Sequence, residues 1–492
     1  MAGKSYLAFD LGAESGRAIR ARLDGGTLRL TELNRFANIP LREGATLRWD
    51  VNTLWRNMRH ALTLVGDASL SGIAVDSWGV DYALLGADGQ LLENPYHYRD
   101  RRNAAAMTDA LDIVSGEEIY AATGVQLMPI NTIYQLFAAS RQTPAVIDAA
   151  RRFVMIPDLF NYWLTGEVLC EYTDASTTQL MNPQTRTWAK DLMARLNLPV
   201  RLTPPIVEAG SIIGPILPDV AAGNTTLART PVVASASHDT ASAVAAITAR
   251  DGTAFISSGT WSLVGTELDA PVLTPRAMLL NFSNEGGVDG TTRLLKNVMG
   301  LWLMQGCRRS WAEQNQTFTY GELMDAAAAE PGFAHLIDPD DSSFANPDDM
   351  PDAIARFCRK TDQPAPTTPG GYARAVLDSL ALKYRLVIKD LQSVIDRPIS
   401  RIRVIGGGSQ NALLNQLTAD ATGLPVVAGP VEATALGNVA VQMLATGAAT
   451  SLADARAIIN RSFPTTTFTP RDADRWTREL TRFQQYCGLL YA

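Results

Sequence analysis

The chain has 492 residues, 46% of them hydrophobic and 19% charged, with a formal net charge of −7. That length exceeds one ordinary core and predicts two or more domains, while the composition excludes a disordered chain. The acidic balance excludes a global basic footprint for nucleic acid, and no apolar run is long enough to span a bilayer.

Strand and helix signals alternate along most of the chain, which predicts an α/β architecture. Residues 6–10 read as a strand, residues 11–16 as a turn with two glycines, and residues 17–23 as a returning strand. In the turn Asp10-Leu11-Gly12-Ala13-Glu14-Ser15-Gly16-Arg17 the glycines permit close approach of a ligand, and successive amides form an anion nest. Ser15 adds a hydroxyl, Arg17 a fixed charge, and Asp10 at the strand end a carboxylate that can orient a hydrated Mg²⁺ ion. An ordinary hairpin has the same outline, so this turn alone decides nothing.

Residues 72–76 and 81–85 read as further strands, and Asp88-Gly89 as a hairpin turn. Between them lies Trp78-Gly79-Val80-Asp81, with Tyr98-Arg99-Asp100 further on. An aromatic face beside a carboxylate suits a sugar, and it equally suits a core tryptophan next to a turn aspartate. Residues 231–236 form a β-branched run that stops at His238-Asp239-Thr240 and resumes as a small-residue helix. Asp239 thus stands where a strand ends and a helix begins, the edge of an α/β sheet at which ligands bind. Its carboxylate is placed either to take a proton from a substrate hydroxyl or to cap the helix.

The second half opens as the first does. TAFISSGTWSLVGTE repeats the strand, small-residue turn and strand of LAFDLGAESGRAIRA. The expectation is a duplicated plan: two related domains, residues 1–245 and 246–492, facing each other across a cleft. Residues 338–369, rich in Asp and Pro, read as irregular surface structure, and residues 372–394 as a long amphipathic helix. Residues 401–405 form a strand that meets Gly406-Gly407-Gly408, followed by a helix bearing Leu413, Leu414, Leu417 and Ala421 and by a strand at 424–428. Three glycines at a helix start expose amides suited to a phosphate or nucleoside. No Lys-Ser/Thr pair follows them and the GxGxxG spacing is absent, which argues against a Walker loop and an NAD-dependent oxidoreductase. Residues 475–490 read as a packing helix.

The N-terminus MAGKSYLAFD lacks an apolar core with a cleavage site, so no signal peptide is expected. Cys170, Cys307, Cys358 and Cys487 are too dispersed for a metal cluster. Free thiols in a reducing cytoplasm are the expectation. Two matched turns, a glycine-rich helix start and an aspartate at a sheet edge together point to phosphoryl transfer, which needs donors around the phosphates, a metal and a base.

The order DLG(x)₂SGR, WGVD, YRD, SHDT, SSGTWS, KNVMGLW, GGGSQN and EATALGN resembles the FGGY family of carbohydrate kinases, within the actin-like ATPase (ribonuclease H-like) fold. The resemblance covers nearly the whole chain, including NTIYQL, EYTDASTTQL and NEGG. It implies a sugar-binding N-terminal domain, an ATP-binding C-terminal domain, and transfer of phosphate from ATP to O1 of L-rhamnulose with Mg²⁺. L-fuculose and D-xylulose remain as alternatives, because such sugars differ in a few hydroxyl groups. By the same resemblance Asp239 is the base, and Gly79, His238, Thr240 and Asn297 contact the sugar. Ala13, Glu14, Ser15, Gly16, Arg17, Thr260, Gln305 and Gly407 hold ATP. Glu14 departs from the pattern, standing where a small hydroxyl residue is usual. The expected partners are the sugar and ATP, with no nucleic acid or membrane; the oligomeric state, monomer or dimer, is not shown by the sequence. A non-catalytic sugar or nucleotide sensor on the same fold is the alternative of a different class, and Asp239 argues against it.

Overall fold

The computed structural model describes residues 3–66 and 69–488; Leu489 and Leu490 of the predicted C-terminal helix lie outside this range. The chain forms two compact units, the first made of Met1–Thr248, Glu267–Leu294 and Ala433–Phe463. Its sheet has six strands: β1 (Lys4–Leu11), β2 (Ser15–Asp24), β3 (Thr27–Ala37), β4 (Gly72–Ser77), β5 (Ile212–Pro215) and β6 (Pro231–Val233). The spatial order is β5-β6-β4-β1-β2-β3. β1 and β2 form the predicted hairpin, β4 runs parallel to β1, β6 parallel to β4, and β5 antiparallel at the edge. Every residue of β4 is buried, which is why GIAVDS reads as a near-continuous run without alternation.

Two helices of this unit, Asp239–Ala245 and Ala433–Ala445, meet at Gly437. A Cβ added there would lie 1.6 Å from the carbonyl oxygen of Ser242, so only glycine permits this approach. The predicted strand at 231–236 is shorter than expected. Past Val233 the backbone pairs irregularly: Ala234 N donates to Ser211 O at 2.8 Å, whereas Ser237 N donates to Glu171 Oε2 at 2.9 Å and His238 N to Thr173 Oγ1 at 3.2 Å.

The second unit comprises Ala249–Thr266, Leu295–Glu432 and Pro464–Ala492. Six strands of a seven-stranded sheet are β7 (Thr253–Ser258), β8 (Trp261–Leu268), β9 (Thr292–Met299), β10 (Arg401–Ile405), β11 (Val426–Ala428) and β12 (Thr466–Phe468), neighbouring in the order β9-β8-β7-β10-β11-β12; the seventh, Ser283–Gly286, pairs with β9. Here too a hairpin (β7, β8) is followed by two parallel neighbours (β10, β11) and an antiparallel edge (β12). The duplicated plan expected from the two hairpin openings is therefore present in both sheets.

The long helix runs over Pro369–Ile395, with Val376, Leu380, Tyr384, Val387, Ile388 and Leu391 all buried. Residues 338–369 are not the irregular surface expected. They contain the helix Met350–Lys360, whose Ile354, Phe357 and Cys358 are buried. The Asp and Pro that suggested a loop are its start: Asp349 accepts from Asp352 N at 2.9 Å, and Pro351 occupies the first turn. Among the described residues no helix is long and apolar enough to cross a membrane.

Candidate active site

The turn after β1 closes through Gly12 N donating to Ser15 O at 2.9 Å. Hairpin register sets Asp10 opposite Arg17, and their side chains form an ion pair. Parallel register sets Asp10 beside Asp76 on β4. Asp76 is fully buried; its Oδ2 accepts from Asn438 Nδ2 at 2.6 Å and its Oδ1 has no partner. Gln442 Nε2 donates to Asn438 Oδ1 at 2.7 Å and so fixes which end of that amide faces the acid. Burial first, and the neighbouring charge of Asp10 second, push Asp76 well above the usual carboxylate range. Two in-register carboxylates with one unfilled buried oxygen suit a hydrated Mg²⁺, which keeps most of its waters. Among the described residues no group of three or more His, Cys, Asp or Glu offers a closed metal cage. Glu14 is exposed.

Asp239 is the first residue of its helix, and the capping position belongs to His238, which makes no side-chain cap bond. The Asp239 side chain is one-third exposed, and its Oδ1 accepts from Thr240 Oγ1 at 3.1 Å and lies 3.5 Å from His238 Nε2. Burial raises its pKa; His238 opposes the shift and Asp10 adds to it. An accessible carboxylate shifted in this way is the profile of a general base. The strand end before it is held by Glu171, itself fully buried and raised by that burial to about 8.

The tryptophan-and-acid motif resolves against direct sugar contact. Asp81 is fully buried and its carboxylate is saturated: Trp49 Nε1 donates at 2.5 Å, Trp78 Nε1 at 3.0 Å, Tyr98 N at 3.2 Å and Gln135 Nε2 at 2.7 Å. His97 stacks on Trp49 with ring centroids 4.1 Å apart. Asp81 is thus a buried anchor. Gly79 remains a backbone position beside it, and the next residue, Val80, has φ of 68°, a conformation rare for a β-branched side chain. Thr177 Oγ1 accepts from Val80 N at 3.0 Å and Thr132 Oγ1 donates to Val80 O at 2.6 Å, which holds that shape.

In the second unit two glycine-bearing turns come together. Gly408 abuts Ser258, where an added Cβ would lie 2.0 Å from Ser258 Oγ, whereas Gly407 is exposed with nothing within 4 Å of such a Cβ. Thr260 O accepts from Gly300 N at 3.2 Å and Trp302 N at 3.1 Å, which joins the turn at 257–260 to the helix Trp302–Glu313. That helix carries Gln305, whose Oε1 is buried without a partner. Asn297 lies on β9. Ala13, Glu14, Ser15, Gly16, Arg17, Gly79, His238, Asp239 and Thr240 belong to the first unit; Thr260, Gln305, Gly407 and Asn297 belong to the second. Sequence reasoning missed the Asp76–Asn438 pair and the support of His238 by Glu285 and Arg293. EATALGN and NEGG contain Asn438 and Glu285 but carry no local sign of either contact.

Residues 5–246 match the N-terminal domain, and residues 254–446 the C-terminal domain, of the FGGY family of carbohydrate kinases. A rhamnulokinase of Bacteroides thetaiotaomicron is 44% identical over 98% of this chain and 99% of its own. A rhamnulokinase of Enterococcus faecalis is 42% identical over 94% and 93%. Two solved structures share the fold: the ligand-bound xylulose kinase of Lactobacillus acidophilus (TM-score 0.80, 19% identity, 99% of each chain) and Plasmodium falciparum glycerol kinase with ADP (TM-score 0.76, 16% identity, 99% of this chain and 98% of that one). Their architecture is the two-domain actin-like ATPase fold. With both domains matched and relatives at 42–44% identity along nearly its full length, the chain belongs to the FGGY family of carbohydrate kinases and is an ATP-dependent sugar kinase.

Proposed function

We propose that the protein transfers the γ-phosphoryl group of ATP to O1 of L-rhamnulose, giving L-rhamnulose 1-phosphate and ADP. The observation that carries the chemistry is Asp239, an accessible carboxylate at a helix start with its pKa raised by burial. The choice of ketose is supported by the relatives named rhamnulokinase at 40–44% identity. In this reading Asp239 takes the O1 proton as O1 bonds to the γ-phosphorus. The bond from that phosphorus to the bridging oxygen breaks, and its electrons leave with ADP. The proton ends on Asp239.

The backbone of Gly79, the side chains of His238 and Thr240, and Asn297 hold the sugar. The turn from Ala13 to Arg17, in which Glu14 is exposed, receives the phosphates on its amides, and Arg17 supplies positive charge. Thr260, Gln305 and Gly407 hold the rest of the nucleotide; the unfilled Oε1 of Gln305 is an acceptor for its donors. Mg²⁺, when bound, neutralises phosphate charge, and Asp10 with Asp76 would hold it through water. Four free cysteines support a reducing cytoplasmic setting.

A coupled ADP-release assay over L-rhamnulose, L-fuculose, D-xylulose, L-ribulose and glycerol tests the reading. L-rhamnulose is expected to give the highest kcat/KM, since buried groups paired with particular hydroxyls reject a mispaired sugar. A clear win for D-xylulose or glycerol overturns the ketose assignment, and ATP turnover that no sugar stimulates overturns the reaction.

A further inference from the structure

His238 has neighbours that the roles above leave unused. Arg293 is 0% exposed and Glu285 4%. Arg293 Nε donates to Gly286 O at 2.8 Å, and Nη2 lies 3.2 Å from Glu285 Oε2 and 3.2 Å from His238 Nδ1. Glu285 Oε1 accepts from Ser283 Oγ at 3.1 Å, and Gly286 N donates to Ser176 Oγ at 2.7 Å, so two of the three partners of the guanidinium, Glu285 and Gly286, are themselves held. A guanidinium has donors and no acceptor. Nδ1 of His238 lies 3.2 Å from Arg293 Nη2 and 3.4 Å from Glu285 Oε2; the shorter contact, in which Nδ1 accepts, leaves the ring proton on Nε2. Nε2 lies 3.5 Å from Asp239 Oδ1, the same oxygen that accepts from Thr240 Oγ1. Both contacts fall on one edge of the carboxylate.

We propose that Arg293, braced by Glu285, is a positioning residue that fixes the Nε2–H tautomer of His238. His238 and Thr240 then tie down Oδ1 of Asp239 and leave Oδ2 to receive the substrate proton. The inference rests on the reading of Asp239 as the base. Without Arg293, the remaining neighbour of Nδ1 is Glu285 Oε2 at 3.4 Å, which only accepts. The proton would move to Nδ1, and the lone pair of Nε2 would face Oδ1.

The test is ¹⁵N NMR of the full-length protein labelled at histidine, with the His238 signals assigned from H238Q. Wild type is expected to show Nδ1 without a proton, and R293M to show Nδ1 protonated. R293M is also expected to lose about tenfold or more in kcat, by analogy with removal of the partner that orients a metal-bound histidine, with KM for the ketose moving less than about threefold. E285Q leaves Arg293 facing Nδ1 and is expected to keep the wild-type tautomer. A protonated Nδ1 in wild type overturns the proposal, as does R293M with the wild-type tautomer or wild-type kcat. If R293M does not fold, the wild-type and E285Q spectra decide, and a protonated Nδ1 in either is fatal to it. D239N with wild-type turnover would instead overturn the base reading and leave the tautomer untouched.

Discussion

Asp81 and Asp239 both follow a strand, yet their surroundings differ. Asp81 accepts from four donors, and burial raises its pKa to about 7. Asp239 keeps a third of its side chain exposed, and its side-chain contacts with Thr240 and His238 both fall on Oδ1. Asn is nearly isosteric with Asp, so Asp239→Asn is expected to retain fold and sugar binding while kcat falls by about a hundredfold or more. Turnover, melting temperature and calorimetric sugar binding of the purified variant check this together. A base must be ionised to accept a proton. Because burial raises the Asp239 pKa, the acid limb of kcat/KM is expected above the ordinary aspartate range, and Asp239→Asn should lose that limb. From the sequence, WGVD and SHDT look alike as acids at strand ends. What separates them is the number of donors that distant residues supply: Trp49, Tyr98 and Gln135 reach Asp81, and nothing local to WGVD announces them.

Among elements, the glycine-rich start after β10 invites a paired test. Gly408→Ala drives a methyl into Ser258 and is expected to cost about 1–3 kcal/mol in stability, read as a lower melting temperature. Gly407→Ala meets open space and should melt within about 0.5 kcal/mol of wild type. If its backbone borders the nucleotide, Gly407→Ala is expected to raise KM for ATP severalfold and leave KM for the ketose alone. Unchanged KM for ATP would remove Gly407 from the nucleotide site. Hairpins and glycine turns were legible because their chemistry is local: register and turn type are fixed within about ten residues. The helix Met350–Lys360 was misread because its caps, Asp349 and Pro351, belong to the same residue types that punctuate loops.

For the whole molecule, buried carboxylates couple folding to pH. Asp158 is 1% exposed, and burial raises it to about 7 from an ordinary value near 3.9. A carboxyl raised on folding favours the folded state while protonated, so its contribution is full below about pH 4 and is lost as pH rises through about 7. Wild type is therefore expected to lose stability relative to Asp158→Asn across that window, on the order of a few kcal/mol, as followed by denaturant melts at several pH values. A difference that stays constant from pH 4 to 8 would show that Asp158 does not titrate there. The least legible feature was the return of residues 433–463 to the first unit. Asn438 and Asp76 are 362 residues apart, and periodicity carries no information over such a span. That return has a consequence for biosynthesis. A ribosome releases the N-terminal strands long before the segment that completes them, so the unpaired Asp76 and the helix face opposite Gly437 must wait for almost the whole chain. Nascent chains that stall before residue 433 would leave that face open to chaperones and proteases.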